Sequence, residues 1–258
     1  MCPEPEEGNE ERIEAFPSRL LRLTANLSAS EQAMRGIIQL LINHEYHPGD
    51  HLFETTLAER LKVSRTPIRT ALTHLATCGF LEKTPDRKGY HVPILRLADM
   101  HLVFQTRALL EGALAAQAAL NRDDAQIALL KEICAKEKNA FDELDKKVYA
   151  ESNNLFHFSI AAFAKNPYLE QCLGQVFWRS RLYDFFFSGF YNSPMTQEQK
   201  KKKRSCSEHT VIALAIEAGD AAAAEKAMKE HLRHTYEEVR NNPRSDEPGR
   251  SEVQSDCF

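Results

Sequence analysis

The chain has 258 residues, enough for one large domain or two ordinary ones, and 43% of them are hydrophobic, so each could fill a core. Its 33 basic and 37 acidic residues leave a net charge of −4, which excludes bulk charge as a reason to bind nucleic acid. Nothing approaches the roughly 18 consecutive apolar residues of a membrane helix, the acidic N-terminus lacks a signal-peptide pattern, and six scattered cysteines form no Cys-x-x-Cys pair; the expectation is a cytoplasmic protein with reduced thiols and no membrane partner.

Residues 1–27 open with six glutamates before residue 15 and read as a disordered tail. Ser28-x-x-Glu31 is a capping box, and Ala33, Ile37, Leu40 and Leu41 follow as one apolar stripe, closed by His47-Pro48-Gly49-Asp50. Glu54 to Leu61 predicts a short helix that buries Leu57, Ala58 and Leu61, with Thr55 or Thr56 as its cap. A tight turn through Lys62 and Val63 leads to a second helix. Ser64 is expected to cap it, and Pro67 is tolerated because the first turn has no hydrogen bond to lose. Ile68, Leu72 and Leu75 make its buried face. Arg65, Arg69 and Thr73 stack along another face, with Thr66 and Thr70 beside them. Two arginines at the exposed end of a short helix suit the edge of guanine in a major groove. Helix, turn and polar-tipped second helix is the helix-turn-helix arrangement. The segments 79–83 and 89–92 alternate as short strands around Pro85-Asp86-Arg87-Lys88, predicting a β-hairpin wing with a basic tip. Between Lys62 and His91 six basic residues face two acidic ones, a local +4 where helix and wing would meet phosphate.

Residues 93–98 read as a linker, and beyond it no strand pattern recurs. Helical stretches are predicted over 99–120, 123–144, 149–164, 168–187, 197–218 and 221–239, about six helices in an all-α bundle spanning 99–240. The basic run Lys200 to Arg204 reads as a solvated helix start, with a polyanion contact as the alternative. Residues 241–258 are polar and are expected to be disordered.

Three histidines stand out in the bundle: His157, four residues after Asn153 on one helix, His209 and His231. Imidazoles projecting inward from different helices are how bundles build metal sites, although spacing alone favours ordinary surface or satisfied core histidines. Arg107 and Glu111, four apart, read either as an intrahelical ion pair on a solvated face or as an inward arginine that holds a carboxylate. The aromatic run around Arg179 and Arg181 reads as core or dimer surface.

The run Pro48-Gly49, Leu52, Glu54, Leu57-Ala58, Val63-Ser64-Arg65-Thr66-Pro67-Ile68-Arg69, Ala71-Leu72, Leu75, Gly79-Phe80-Leu81 and Gly89 resembles, from about Ala33 to Val92, the winged-helix domain of GntR-family bacterial transcription regulators, which places that domain at 28–92. Thr70 departs from the pattern, since the family usually carries an acid after the second arginine. The stretches Arg107-x-x-Leu110-Glu111, Phe156-His157, Glu208-His209 and Gly219-Asp220, with His231, resemble the FadR-type C-terminal ligand-binding domain. The resemblance implies a mainly α protein, a homodimeric regulator of operator DNA that responds to a small carboxylate metabolite. It implies DNA contacts from Thr55, Arg65, Thr66, Arg69, Lys88 and Gly89, and an effector contact from Arg107. It also implies a divalent metal (zinc, nickel or manganese) held by His157, His209 and His231. Asn153 stands where the family has an aspartate, and a neutral amide is the weaker ligand. The rival reading is a metal-dependent hydrolase built on the three histidines. It lacks a candidate general base where an activated water would need one. A helical adaptor without DNA binding leaves Arg65, Arg69 and the basic wing unexplained.

Overall fold

The computed structural model describes residues 27–83, 89–192 and 205–241. The expected wing tip with Lys88, the run 200–204, the start of the helix expected from 197 and almost all of both tails lie outside them. Among the described residues there are ten helices and two short strands. The first region contains α1 (Ala29–Ile42), β1 (His51–Leu52), α2 (Glu54–Leu61), α3 (Arg65–Thr77) and β2 (Tyr90–His91). The second contains α4 (Leu97–Asn121), α5 (Asp124–Glu143), α6 (Lys146–Phe163), α7 (Pro167–Phe187), α8 (Gly189–Asn192), α9 (Ser205–Ala218) and α10 (Ala221–Arg240). This is a mainly α fold: a winged helix-turn-helix followed by a helical domain. The first turn of α4 takes up the last two positions of the stretch 93–98 read as linker.

Local chemistry starts most helices where the sequence indicates. Ser28 and Glu31 form the reciprocal capping box of α1, and Asp123 with Gln126 forms a second one at α5. Asn166 caps α7 with Pro167 in its first turn. Two expected caps fail. The residue before α2 is Phe53, which makes no side-chain cap, and Thr55 and Thr56 lie inside the helix. Ser64 occupies the cap position of α3, but its hydroxyl makes no capping bond. The third helical residue is Pro67, which has no N–H to donate to it.

The wing also differs from the expected hairpin. Segment 79–83 contributes a single bridge, Glu82 to His91, and β2 pairs antiparallel with β1, matching His51 to His91 and Leu52 to Tyr90. Strands of two residues are too short to show an alternating pattern, so β1 is invisible in the sequence. Gly89 sits at φ +117°, where a Cβ would lie 2.3 Å from the His51 ring. The position therefore demands glycine twice, by conformation and by space.

Ile68, Leu72 and Leu75 are fully buried as their spacing requires. The winged-helix core does not end at its own boundary. Phe80 meets Trp178 edge-on at 5.8 Å and Phe185 at 6.3 Å, both on α7. Arg179 crosses the same seam: its Nε donates to Asp99 at 2.7 Å and its Nη1 to Glu82 at 3.1 Å. In the helical domain α10 packs along α4. Gly112 permits that approach, since a Cβ there would lie 2.8 Å from the Lys229 side chain. Phe80 is fully buried at the seam. Replacing it with alanine should cost about 3–5 kcal/mol of unfolding free energy, measured by urea denaturation; a loss below about 1 kcal/mol would mean that the two regions do not share this core.

Candidate functional site

Two sets of side chains bear function-related chemistry. The first is the exposed face of the helix-turn-helix. Arg65, Thr66 and Arg69 are exposed on the first turns of α3, and Thr55 is exposed on α2. Glu54, which the sequence reading left without a role, ties them together. Arg69 donates to both of its oxygens, Nε at 3.2 and 3.3 Å and Nη2 at 3.1 Å, and Arg65 Nη2 lies 3.8 Å away. One carboxylate thus holds two guanidiniums side by side at the surface. Thr73, on the same helix, hydrogen-bonds the Tyr90 hydroxyl at 2.9 Å and fixes α3 against the wing. Gly89 belongs to the backbone that shapes the wing.

The second set lies in the helical domain, where three helices bring His157, His209 and His231 together. One nitrogen from each lies within 4.8 Å of the others, and all three rings are buried. Each ring has a carboxylate at its Nδ1: Glu111 at His157, Glu137 at His209 (2.7 Å) and Glu208 at His231 (2.9 Å). These acids were missed as a set. Glu111 and Glu208 stood in the motifs, but only packing shows that each faces a ring, and Glu137 on α5 carries no sequence signal. Asn153 lines the same cavity, and its Nδ2 donates to Glu137 at 3.3 Å.

Arg107 is not on a solvated face. It is 2% exposed, its Nε donates to Glu111 at 2.5 Å and its Nη1 to Ser180 at 2.8 Å. The ion pair of the first reading exists, but it is buried in the cavity wall and not on a solvated face. Nη2 of Arg107 has no hydrogen-bond partner among the described residues, and neither has Nε of Arg181, which is paired through Nη1 with Asp184. Arg107, Tyr149, Asn153, His157, Arg181 and His231 line a cavity of about 20 Å³, room for a single water.

The electrostatics fit a cation among the histidines. Burial would raise Glu111, but Arg107 and His157 outweigh it and hold its carboxyl down at about 2. Glu137 is likewise lowered against the effect of burial, chiefly by His209. Burial pushes His157 down to about 3, and it lowers His231 with help from His209. Three buried carboxylates (Glu111, Glu137, Asp184) thus face two buried guanidiniums (Arg107, Arg181), one negative charge in excess, and Glu208 at the edge adds a second. A carboxylate at Nδ1 holds the ring proton there, so Nε2 presents a lone pair. The Nε2 atoms of His209 and His231 are 3.2 Å apart. Two such lone pairs repel unless something positive lies between them. Donors bound to one metal at about 2.0–2.1 Å stand roughly 3.0–3.4 Å apart, which matches.

A model of the FCD domain matches residues 102–234, and one of bacterial regulatory proteins of the gntR family matches residues 29–92. The chain is 30% identical over 142 residues to the Nta operon transcriptional regulator of Aminobacter aminovorans, covering 55% of this chain and 67% of that one. It is 27% identical over 216 residues to the HTH-type transcriptional regulator LutR of Bacillus subtilis (strain 168), covering 75% and 93%. In fold it resembles E. coli McbR/YncC, with a TM-score of 0.70 at 22% identity over 83% of this chain and 98% of that one. Purified protein should carry close to one divalent metal per chain, measured by elemental analysis, and His209→Ala should lose it. Glu137→Gln should weaken it about 10–100-fold, and Asn153→Asp should tighten it. Metal content unchanged in the alanine variants of all three histidines would exclude a shared site.

Proposed function

From a chain that belongs to the GntR family of bacterial regulatory proteins and carries an FCD domain, we propose a homodimeric, metal-containing regulator whose operator affinity is set by a small carboxylate metabolite. The chain is a DNA-binding transcription regulator and not an enzyme, as its family and relatives are. The hydrolase reading falls on that ground. No helix among the described residues is long and apolar enough to cross a membrane, and we place its work in the cytoplasm with the DNA.

The observation that carries the effector reading is that Nη2 of buried Arg107, a residue lining the cavity with His157 and His231, has no hydrogen-bond partner among the described residues. An unsatisfied buried N–H on a charged group is costly, and a carboxylate oxygen is its natural partner. His157, His209 and His231 would hold a divalent cation, with Asn153 beside them. When bound, that cation supplies a fixed positive charge for a second carboxylate oxygen. The cavity as it stands admits only a water, so any metabolite must bind an arrangement in which the walls have moved apart. One wall has a direct route to the winged helix. The Tyr191 hydroxyl accepts from Arg181 Nη2 at 3.0 Å, and its backbone carbonyl lies 3.3 Å from Nε2 of His44. Movement of Arg181 on ligand binding would therefore be felt at the end of α1.

On the DNA side, Arg65 and Arg69 reach base edges, with Thr55, Thr66, Gly89 and Lys88 supplying backbone and wing contacts. Glu54 holds both arginines in place before DNA arrives, which lowers the ordering cost of binding. Dimerisation is supported by the short recognition helix, which needs a second copy for enough contacts. Leu102, Leu109 and Leu120 also stand exposed on α4, at 60, 64 and 69%.

Each arginine–guanine contact is worth about 1–3 kcal/mol of discrimination and occurs twice in a dimer. Arg69→Ala should weaken binding to a selected operator far more than to a scrambled duplex in fluorescence anisotropy; equal losses would make the arginine a phosphate clamp. Removing Arg107 outright strands Glu111, so Arg107→Lys is the informative variant: it keeps the charge and loses the planar fork. It should fold, hold its operator and no longer release or tighten with effector, and a normal response would overturn the assignment. Leu109→Glu should yield a monomer in sedimentation equilibrium; an unchanged oligomer would place the interface elsewhere.

A further inference from the structure

The side chains of Arg65 and Arg69, on the first turns of α3, are 63% and 62% exposed. Glu54, at the first position of α2, is their one anionic partner among the described residues. A carboxylate there could have capped its own helix, since the preceding Phe53 provides no cap. It is used otherwise: both of its oxygens accept from Arg69. Those bonds occupy one edge of the guanidinium, Nε at 3.2 and 3.3 Å and Nη2 at 3.1 Å. The other edge, formed by Nη1 and the second hydrogen of Nη2, makes no hydrogen bond among the described residues. An arginine needs one such edge to donate to O6 and N7 of guanine. Arg69 can therefore read a guanine without releasing Glu54.

We propose that Glu54 is a specificity-determining residue: it cancels the charge through which Arg69 would grip any phosphate and leaves free the donors through which it reads a base. This rests on the reading of Arg69 as a base contact. Binding to phosphate draws on charge, since release of counterions drives it. A base edge is neutral and draws on hydrogen bonds in fixed directions. A carboxylate 3.1 Å from the guanidinium weakens the first attraction and spares the second. Arg65 Nη2 lies 3.8 Å from the same carboxylate oxygen, so two guanidiniums and one carboxylate leave a single positive charge on this face. On the wrong duplex, α3 could settle on phosphate in two ways. Arg69 would have to part from Glu54, or the carboxylate would have to approach the negative backbone. Each penalises the wrong partner and not the right one. An exposed ion pair contributes little to stability, so the fold does not account for an acid between two arginines at this surface.

The experiment uses the full-length protein with two duplexes, one selected by the wild type from a random-sequence pool and one scrambled. Fluorescence anisotropy follows both across a salt series. Glu54→Gln keeps the size of the side chain and removes its charge. It should bind the scrambled duplex about tenfold more tightly near 0.1 M salt, with a slope steeper by about 0.9 for each copy of the site. A mere loosening of α2 against α3 would not steepen that slope. Affinity for the selected duplex should rise far less or fall, so the ratio of the two affinities drops about fivefold or more. Glu54→Ala carries the same test if Glu54→Gln does not fold. Equal tightening on both duplexes would overturn the proposal. So would an unchanged affinity and slope on the scrambled duplex, which would leave Glu54 as a tether that only positions Arg69. The base-reading assignment fails separately, through an Arg69→Ala variant that weakens both duplexes equally.

Discussion

A buried set of charges governs the helical domain. Arg107 and Glu111 come from α4, Glu137 from α5, His157 from α6, Arg181 and Asp184 from α7, His209 from α9 and His231 from α10. Six helices are therefore bound to one another through groups that cannot be left alone in a low dielectric. Removing one partner of a buried ion pair typically costs about 3–5 kcal/mol, more than most apolar substitutions, because the survivor remains charged and unsolvated. The set is also unfinished. Its carboxylates outnumber its guanidiniums, two imidazole nitrogens face each other, and one guanidinium nitrogen on each arginine has no hydrogen-bond partner among the described residues. A core that is rigid in its connections and incomplete in its charges is suited to respond to what fills it.

Helix α7 gives that response somewhere to go. On one side Ser180 accepts from Arg107 and Arg181 lines the cavity, and on the other Trp178, Arg179 and Phe185 meet the winged helix through Phe80 and Glu82. Consecutive residues thus face the two partners, so a rotation of α7 moves both. The short α8 adds a second link, since Tyr191 offers its hydroxyl to the cavity and its carbonyl to His44. No continuous wire of special residues is needed; a packed helix with two occupied faces transmits displacement because neither face can deform freely.

Much of this was legible in the sequence, and what was not had physical causes. The arginine helix was readable because a buried stripe at Ile68, Leu72 and Leu75 forces Arg65 and Arg69 outward, a consequence of helical period alone. The three histidines were readable as candidates by residue type and by motif. Glu54 was present in the motif, but its grip on Arg69 depends on how α2 crosses α3, fifteen residues away. Arg107 and Glu111 were placed four apart by the sequence, which shows that they can pair and not whether the pair faces solvent. The unused capping hydroxyl of Ser64 was in principle deducible, since Pro67 removes one of the N–H groups it would serve.

The sequence by itself determined the order of elements, the winged-helix and bundle architecture, and the outward face of α3, because period, capping and turn chemistry are local. Only the tertiary structure decided what depends on packing. It set Glu111, Glu137 and Glu208 behind the three imidazoles, turned Arg107 inward, and paired β2 with β1. Each of these joins residues from separate elements, and no short-range pattern encodes the angle at which two helices meet.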